Sequence, residues 1–173
     1  LGFIETVNAI RSRVPGVTIE TLIPDFAGQK RPLEALLNEG PDVLNHNLET
    51  VARLQRAVRP NAGYARSLTV LARAKTHGSV TKSGLIVGLG ENDDEVRVAL
   101  GDLASVGVDI VTIGQYLRPT SAHLPVHRWV EPEIFEMWAD KARGMGIRHV
   151  EAGPLTRSSH KAATAVRELL GTP

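Results

Sequence analysis

The sequence predicts an α/β fold built on a parallel sheet. Five short apolar segments, rich in β-branched residues, alternate with longer segments whose apolar residues recur at helical spacing. This alternation is typical of strand–helix–strand units. Glycine or proline separates most of the segments, as expected at the junctions between elements. A chain of 173 residues is long enough for one hydrophobic core, so we expect a single domain.

The predicted elements run in order along the whole chain. Apolar runs closed by turn residues predict strands over residues 17–23, 42–47, 85–87, 109–117 and 149–152. Helical spacing and stop residues predict helices over residues 1–14, 33–37, 49–58, 64–77, 92–107, 131–145 and 162–170. The first helix is amphipathic, and its apolar face carries Phe3, Val7, Ile10 and Val14.

The central strand leads into a glycine-rich turn and a helix start. Residues 85–87 are apolar without alternation, as in a parallel strand buried on both faces. Gly88 and Gly90 then allow a sharp turn, and Asn92 with Glu95 is typical of a capped helix N-terminus. Backbone N–H groups converge at such a corner. The turn therefore either contacts a ligand or needs glycine for its geometry alone.

Several predicted strands end in polar residues or glycine. In a β/α barrel, the carboxyl ends of the strands line the active-site face. One loop would not need this pattern at several successive strands, so the sequence favours a catalytic or ligand-binding barrel. The strand-end sequences are Pro24-Asp25, Asn45-His46-Asn47, Gly88-Leu89-Gly90-Glu91, Gln115-Tyr116 and Arg157-Ser158-Ser159.

The composition excludes some classes of function. The chain has no cysteine, so it has no disulfide and no thiolate metal site. Lys+Arg 20 against Asp+Glu 19 gives no electrostatic reason to expect nucleic acid or membrane partners. No apolar run reaches the roughly 20 residues of a transmembrane helix. No targeting segment is visible, and we expect a cytoplasmic protein.

Two groups of strand-end residues each allow a functional and a structural interpretation. Asn45, His46, Asn47 and Glu49 either hydrogen-bond a ribose or amino-acid group, since asparagine supplies donor and acceptor together, or form a turn and a helix cap. Lys82 opens a buried strand, where it either pairs with an anionic ligand or extends its ammonium group to solvent.

Two further polar groups follow the later strands. His123 and His127 lie beside Pro125 with no carboxylate signature nearby, and this pattern favours a solvated loop over a metal site. Residues 157–159, Arg-Ser-Ser, follow a Gly-Pro pair. They either bind an anion or supply a hydroxyl ligand, or they lead into the terminal helix as a loop.

Taken together, these segments resemble one family, lipoyl synthase, a radical S-adenosylmethionine enzyme. The matching motifs follow the family's order and cover most of the chain. They are Leu22-Ile23-Pro24-Asp25-Phe26, Pro41-Asp42-Val43-Leu44-Asn45-His46-Asn47-Leu48-Glu49-Thr50, Val58-Arg59-Pro60, Thr81-Lys82-Ser83-Gly84-Leu85-Ile86-Val87-Gly88-Leu89-Gly90-Glu91, Thr112-Ile113-Gly114-Gln115-Tyr116-Leu117-Arg118-Pro119 and Gly153-Pro154-Leu155-Thr156-Arg157-Ser158-Ser159.

The resemblance implies a partial (β/α)6 TIM-like barrel of parallel strands alternating with helices. Residues 1–173 would be the C-terminal portion of this single domain, with residues 148–173 extending over the barrel mouth. S-adenosylmethionine would lie across the strand ends. Its implied binding residues are Asn45, Asn47 and Glu49 for the ribose and methionine parts, Gly84 and Gly88 near the adenosyl group, and Lys82 and Gln115 completing the pocket.

The resemblance also implies a chemistry. The family inserts two sulfur atoms into an octanoyl chain carried on a lysine of a partner, either a lipoyl-carrier domain or the glycine cleavage H protein. One 4Fe-4S cluster cleaves S-adenosylmethionine to a 5′-deoxyadenosyl radical, and a second cluster is consumed as sulfur donor. A serine of the Arg-Ser-Ser motif ligates the second cluster, and this role is placed on Ser159, with Ser158 as the alternative.

Two departures from the family pattern shape the expectation. The family holds its clusters with two cysteine triplets, whereas this chain has none, and His160 replaces the usual tyrosine after Arg-Ser-Ser. We expect the C-terminal part of a longer enzyme that lacks its cysteine-bearing segment, is inactive alone and leaves a sheet edge open. The alternatives are a degenerate S-adenosylmethionine-binding module and an unrelated barrel enzyme that binds phosphate at Gly88–Gly90.

Overall fold

The computed structural model describes residues 2–159 and 162–171. It contains one parallel five-stranded sheet with the strand order β1-β2-β3-β4-β5. The strands are β1 (Glu20–Leu22), β2 (Val43–Asn45), β3 (Val80–Val87), β4 (Ile110–Gln115) and β5 (His149–Gly153). The helices are α1 (Gly2–Arg13), α2 (Lys30–Asn38), α3 (Gln55–Val58), α4 (Tyr64–Thr76), α5 (Asp93–Ser105), α6 (Pro132–Gly144) and α7 (Ala162–Leu170).

The two faces of the sheet differ in chemistry. On one face, apolar side chains pack against α4, α5 and α6 in the largest hydrophobic cluster, which includes Leu71, Leu85, Leu100, Ile113 and Trp138. Successive side chains of a strand point to opposite faces. The alternate positions therefore face away from these helices, and around the middle of the sheet they are polar or glycine: Asn45, Lys82, Gly84, Thr112 and Gly114.

The first helix contributes less to the core than its pattern predicts. Of its apolar face, Val7 is buried, whereas Phe3, Ile10 and Val14 are exposed. Val7 joins a second cluster with residues of α2, α4 and β2, among them Leu36 and Leu44. The exposed side chains lie on the side of the molecule where β1 ends the sheet, so no further element in the described residues covers them.

Two elements differ from the sequence prediction. The helix expected over residues 49–58 is reduced to a 3₁₀ turn, Ala52–Leu54, and the short α3. Glu49 instead forms an isolated bridge with Leu85, so residues before the turn extend the sheet. The central strand is longer than residues 85–87 because polar residues at its start, including Lys82, are buried within the sheet.

A buried aspartate joins the N-terminal ends of the central strands. Asp109 precedes β4 and is 2% exposed. Its carboxylate accepts a hydrogen bond from the Thr81 backbone N–H at 2.9 Å and two from Lys75 Nζ at 2.7 Å. Burial opposes ionisation of Asp109, but the hydrogen bonds from Lys75, Thr81 and Arg148 together outweigh it and lower the carboxyl pKa.

The C-terminal residues divide between the sheet and its two ends. His149–Gly153 form β5 within the sheet, and residues 156–158 line a cleft at the carboxyl ends of the strands. In α7, Ala165 and Val166 pack against Val43 and Ile110, the first residues of β2 and β4. The extension predicted for residues 148–173 thus includes a sheet strand and a helix at the opposite end, and its role over the mouth stays a prediction.

No helix in the described part of the chain is long and apolar enough to cross a membrane. The cytoplasmic location expected from the sequence stays a prediction.

The start of α5 is fixed by the capping box that the sequence predicts. Asn92 Oδ1 accepts from the Glu95 backbone N–H, and the Glu95 carboxylate accepts from the Asn92 N–H, both at 2.9 Å. Arg53 Nε also donates to Glu95 at 2.6 Å. The Arg53 hydrogen bond and the Asn92 N–H lower the pKa of Glu95 to about 2.

This pKa predicts a pH-dependent contribution to stability. Because the folded pKa of Glu95 is depressed, its stabilising effect is complete above the unfolded value of about 4.3 and is lost as the pH falls toward 2. Glu95→Gln should lower the unfolding temperature at pH 7, only slightly because Arg53 is exposed, and this difference should shrink as the pH falls from about 4 through 2. Thermal unfolding across this range measures the difference, with Glu34→Gln on α2 as control. A constant difference at all pH values would contradict the prediction.

Candidate functional site

A cleft of about 330 Å³ lies at the carboxyl ends of β3 and β4. This volume is within the range of about 300–1,000 Å³ typical of small-molecule sites. Its walls come from five places in the chain: Asn47 and Glu49 after β2, Gly84–Ile86 in β3, Thr112, Gly114 and Gln115 in β4, Tyr116, Leu117 and Pro119 after it, and residues 156–158 after β5. Three of the five strand ends that the sequence singled out, those after β2, β4 and β5, therefore meet at this site, whereas Pro24-Asp25 and Gly88–Glu91 do not line it.

Gly84 makes the floor of the cleft. A Cβ atom at this position would lie 2.9 Å from both Asn47 Oδ1 and Thr112 Oγ1, closer than real Cβ atoms approach. Glycine is thus required because two polar side chains from neighbouring strands converge over it. The sequence predicted Gly84 in the site, and the structure assigns it this packing reason.

Asn47 offers an unused hydrogen-bond acceptor to the cleft. Its Nδ2 donates to Glu49 Oε1 at 3.1 Å, whereas its Oδ1 is buried and has no partner among the described residues. A buried carbonyl oxygen without a partner is costly, and such atoms usually bind a ligand or an ordered water. Asn47 and Glu49, both predicted site residues, thus present one polar surface to the cleft.

Glu49 adopts a backbone conformation that is rare for its residue type. Its φ angle is 67°, in the left-handed region, and strained residues of this kind concentrate at functional sites. Two hydrogen bonds hold it: its N–H donates to Gly84 O at 2.8 Å, and its carbonyl accepts from Ile86 N at 2.7 Å. Burial raises the pKa of the Glu49 carboxyl, although the Asn47 amide and Arg59 oppose this.

The glycine-rich turn is closed by the chain itself. The backbone N–H groups of Gly88 and Leu89 do converge, but both donate to the carboxylate of Glu91, from Leu89 at 3.0 Å. These groups are therefore occupied and are not free to bind a phosphate. Both the phosphate-binding alternative at Gly88–Gly90 and the role of Gly88 near an adenosyl group stay predictions.

Gln115 uses its side chain within the protein. Its Nε2 donates to the carbonyl of Arg128 at 3.1 Å, and its Oε1 accepts from Val130 N at 3.0 Å. Gly88 leaves room for this amide, since a Cβ there would lie 2.2 Å from Gln115 Nε2. Gln115 lines the cleft. Both ends of its amide, however, form hydrogen bonds with the loop that follows β4. A direct contact of Gln115 with a cofactor stays a prediction.

Lys82 and Asn45 share a carboxylate that sequence reasoning missed. Lys82 is 1% exposed, and its Nζ donates to Glu20 Oε2 at 2.9 Å. Asn45 Nδ2 donates to Glu20 Oε1 at 2.7 Å, and Asn45 Oδ1 has no partner in the described chain. The Lys82 ammonium group thus pairs with Glu20 and does not extend to solvent, whereas its pairing with an anionic ligand stays a prediction. A charged residue in the middle of a predicted strand was the signal for Glu20.

The serines lie at a second, smaller cleft beside the first. This cleft, of about 290 Å³, is lined by Ser158 and Ser159 together with Glu20, Leu22 and Asn45. Ser158 also lines the main cleft, whereas Ser159 is exposed. His160, where the chain departs from the family pattern, lies outside the described residues.

The donor set does not fit an iron–sulfur cluster. Clusters require cysteine thiolates, and the chain has none. Within residues 2–159 and 162–171, no group of three or more histidine, cysteine, aspartate or glutamate side chains is placed to hold a metal ion. His123 and His127 are exposed in the loop between β4 and α6. The main cleft, by contrast, has the volume of a small-molecule site and a lining residue with an unpartnered acceptor, and binding of S-adenosylmethionine there stays a prediction.

His46 has a structural role rather than a ligand-binding one. It points away from its neighbours Asn45 and Asn47, and its two ring nitrogens lie 2.9 Å from Ile23 O and from Ser67 Oγ. Burial lowers the pKa of His46, so the neutral ring that bridges a carbonyl and a hydroxyl is favoured. Its alternation with the two asparagines follows from the two-residue period of the strand.

Comparison with known proteins identifies relatives. A model of the radical SAM superfamily matches residues 1–103. The chain is 51% identical over 167 residues to a lipoyl synthase of Pelodictyon phaeoclathratiforme, covering 96% of this chain and 57% of that protein. It is 54% identical over 157 residues to a lipoyl synthase of Mycobacterium bovis, covering 91% and 50%. The chain thus spans about half the length of the curated relatives it matches.

Solved structures with little sequence similarity share the fold. The chain superposes on methylornithine synthase (PylB) with a TM-score of 0.65 at 16% identity, covering 99% of this chain and 62% of that one. For QR15, an aldolase, the TM-score is 0.53 at 14% identity, with 97% and 70% covered. The predicted arrangement of parallel strands alternating with helices is confirmed, as is the resemblance to lipoyl synthases. The chain belongs to the radical SAM superfamily.

Proposed function

We propose that this chain forms the S-adenosylmethionine-binding part of a lipoyl synthase. The complete enzyme would insert two sulfur atoms into an octanoyl chain on a lipoyl-carrier domain or the glycine cleavage H protein. The observation that carries the proposal is the buried, unpartnered Oδ1 of Asn47, a residue that lines the main cleft together with Glu49 and Gly84. The identity to lipoyl synthases of 51–54% supports the choice of reaction.

Different residues of the main cleft would bind different parts of the cofactor. Asn47 Oδ1 would accept a hydrogen bond from a ribose hydroxyl, and the Glu49 carboxylate would accept hydrogen bonds from the ribose or the ammonium group of the methionine part. Gly84 would leave room for the adenosyl group, because any side chain there collides with Asn47. When bound, S-adenosylmethionine supplies the radical chemistry for which the superfamily is named.

The charged pair of Lys82 and Glu20 would orient a neighbouring side chain rather than bind the cofactor itself. Lys82 neutralises Glu20, and Glu20 in turn orients the amide of Asn45, a residue that lines the smaller cleft. This arrangement leaves no uncompensated charge in the interior. Lys82 thereby contributes to the site through its neighbours.

Cysteine thiolates for the clusters would come from a separate segment of protein. With no cysteine, the chain alone would hold no cluster and catalyse nothing. Ser159, or Ser158 as the alternative, would supply an oxygen ligand to the second cluster beside thiolates from that segment. The exposed position of Ser159 at the smaller cleft is compatible with this role.

Replacing Asn47 tests the cofactor site directly. Asn47→Ala should weaken binding of S-adenosylmethionine about tenfold, the usual effect of losing one hydrogen bond to a polar ligand group. Titration calorimetry with the 173-residue chain measures this affinity. The matched control is Asn38→Ala at the end of α2, which is exposed and outside the cleft. Equal affinities of Asn47→Ala and the unmodified chain would overturn the assignment.

The degenerate-module alternative rests on the absence of cysteine and needs its own test. Iron and acid-labile sulfide are measured after anaerobic reconstitution, with the chain alone and with a separately supplied cysteine-bearing segment. Clusters that form only in the mixture support a lipoyl synthase. Binding of S-adenosylmethionine with no cluster in either sample supports a non-catalytic module. Clusters on the chain alone would contradict both.

A further inference from the structure

The loop between β4 and α6, residues 116–131, is a long connection next to the main cleft. Connections longer than about 12–15 residues are uncommon in compact domains and usually functional. Tyr116, Leu117 and Pro119 from this loop line the cleft, so the loop forms part of its mouth. None of these residues is assigned to the cofactor, which leaves the loop without an assigned role.

Hydrogen bonds within the loop hold it in one shape. Tyr116 Oη donates to Leu124 O, and Arg118 Nε donates to His123 O, both at 2.9 Å. Arg118 also donates to the carbonyl of Ser121. At its far end, the Gln115 amide brackets residues 128–130, and His127 N donates to Gly88 O at 2.8 Å. A surface loop ordered in this way loses little entropy when it binds a partner.

The loop exposes apolar side chains together with uncompensated positive charge. Leu117, Leu124 and Trp129 are 44%, 40% and 66% exposed. Arg118 bonds only to carbonyl oxygens among the described residues, so no carboxylate neutralises it. The sequence from residue 116 to 130 contains no acidic residue. Leucine, tryptophan and arginine in one exposed patch are typical of a protein-binding surface.

The opposite rim of the cleft has the same chemistry. Leu155, in the turn after β5, is 78% exposed. Arg157 lines the cleft and donates to the carbonyls of Thr156 and Pro154, again without a carboxylate partner in the part of the chain that the structure describes. Two apolar, positively charged segments thus flank the entrance to one cleft.

We infer that residues 116–130, with Leu155 and Arg157, form the docking surface for an acidic protein partner whose modified lysine enters the cleft. The inference rests on the proposed function, which supplies the octanoylated carrier as the occupant. Unneutralised arginines on both rims require negative charge on the partner. Leu124, Trp129 and Leu155 are exposed and do not line the cleft, so a partner larger than a small molecule is needed to cover them.

The test measures binding of octanoylated glycine cleavage H protein to the 173-residue chain by surface plasmon resonance. Arg118→Glu should weaken binding about tenfold, mainly through a slower association rate, and the loss should shrink at high salt. Arg118→Lys keeps the charge and should retain most of the affinity. Arg13→Glu, at the end of α1 and exposed, is the matched control and should have no effect.

A charge-swap experiment distinguishes the loss of the Arg118 charge from damage to the loop. Arg118→Glu should regain affinity for an H protein in which an acidic residue near the modified lysine is replaced by lysine. Equal losses for Arg118→Glu and Arg13→Glu, or no binding of the H protein by the unmodified chain, would overturn the inference. Titration of the same variants with S-adenosylmethionine reports separately on the proposed function, because Arg118 lies outside the set of residues assigned to the cofactor.

Discussion

Replacing Asp109 with alanine is expected to lower the free energy of unfolding by about 3 kcal/mol, the usual cost of breaking a buried charged network by removing one partner. The carboxylate is almost fully buried and connects α4 to β3 through Lys75 and Thr81. Its loss leaves the Thr81 backbone N–H, which is also buried, without its acceptor. Lys75 and Arg148 are partly exposed and can turn to solvent, so the cost falls mainly on the strand.

Chemical denaturation of Asp109→Ala and the unmodified chain measures this difference. Asp140→Ala is the control, because Asp140 is 80% exposed and pairs only with Arg143 on the same helix. The folded pKa of Asp109 is lowered, so its contribution is complete above the unfolded value of about 3.9 and is lost as the pH falls below it. A loss no larger than that of Asp140→Ala at pH 7 would show that the network does not stabilise the sheet.

The location of the site was predictable because it depends on sequence-local rules. Asn47 and Gln115 stand at the carboxyl ends of segments that the sequence predicts as strands, and parallel strands bring such ends to one edge. The two-residue period of a strand then places polar and small residues on the face opposite the helices. The fold class and the edge of the sheet that carries the cleft therefore follow from composition and period, whereas the roles of single residues such as Gly84 come only from the resemblance to the family.

The partners within the site were not predictable in the same way. Glu20 meets Lys82, and Gln115 meets Arg128, because of sheet register and loop path, which no short pattern encodes. From the sequence, the turn at Gly88 resembles a ligand-binding turn, whereas in the structure the Gly88 N–H donates to the carboxylate of Glu91. Each of these polar groups forms its hydrogen bond or ion pair within the chain. From the sequence alone, such a residue cannot be distinguished from one that binds a ligand.

The misassigned helix has a related cause. Apolar residues after Glu49 recur at helical spacing, but Glu49 takes a left-handed conformation and its backbone pairs with β3. Tertiary hydrogen bonds with Gly84 and Ile86 override the local preference of these residues. The departure from the pattern occurs at a residue of the cleft, where local rules most often yield to function.

Gly114→Ala is expected to weaken binding of S-adenosylmethionine at least as much as Asn47→Ala does. A Cβ at residue 114 would lie 2.2 Å from the backbone oxygen of Thr156, and a backbone atom cannot move aside as a flexible side chain can. The segment that carries Arg157 and Ser158 must therefore lift away from β4. Because that segment forms one wall of both clefts, the methyl group opens the site without touching the helix-packed core.

The matched control for this change is Gly101→Ala. A Cβ at Gly101 in α5 meets nothing within 4 Å, and alanine there should stabilise the helix by roughly 0.5–1 kcal/mol. Titration calorimetry measures the cofactor affinity of both variants, and hydrogen exchange of residues 154–159 reports on the wall even without cofactor. Faster exchange confined to residues 154–159 in Gly114→Ala would show that this segment packs against β4 only because residue 114 has no side chain. Unchanged exchange and affinity would mean that the sheet accommodates the methyl group, and the wall would then not depend on Gly114.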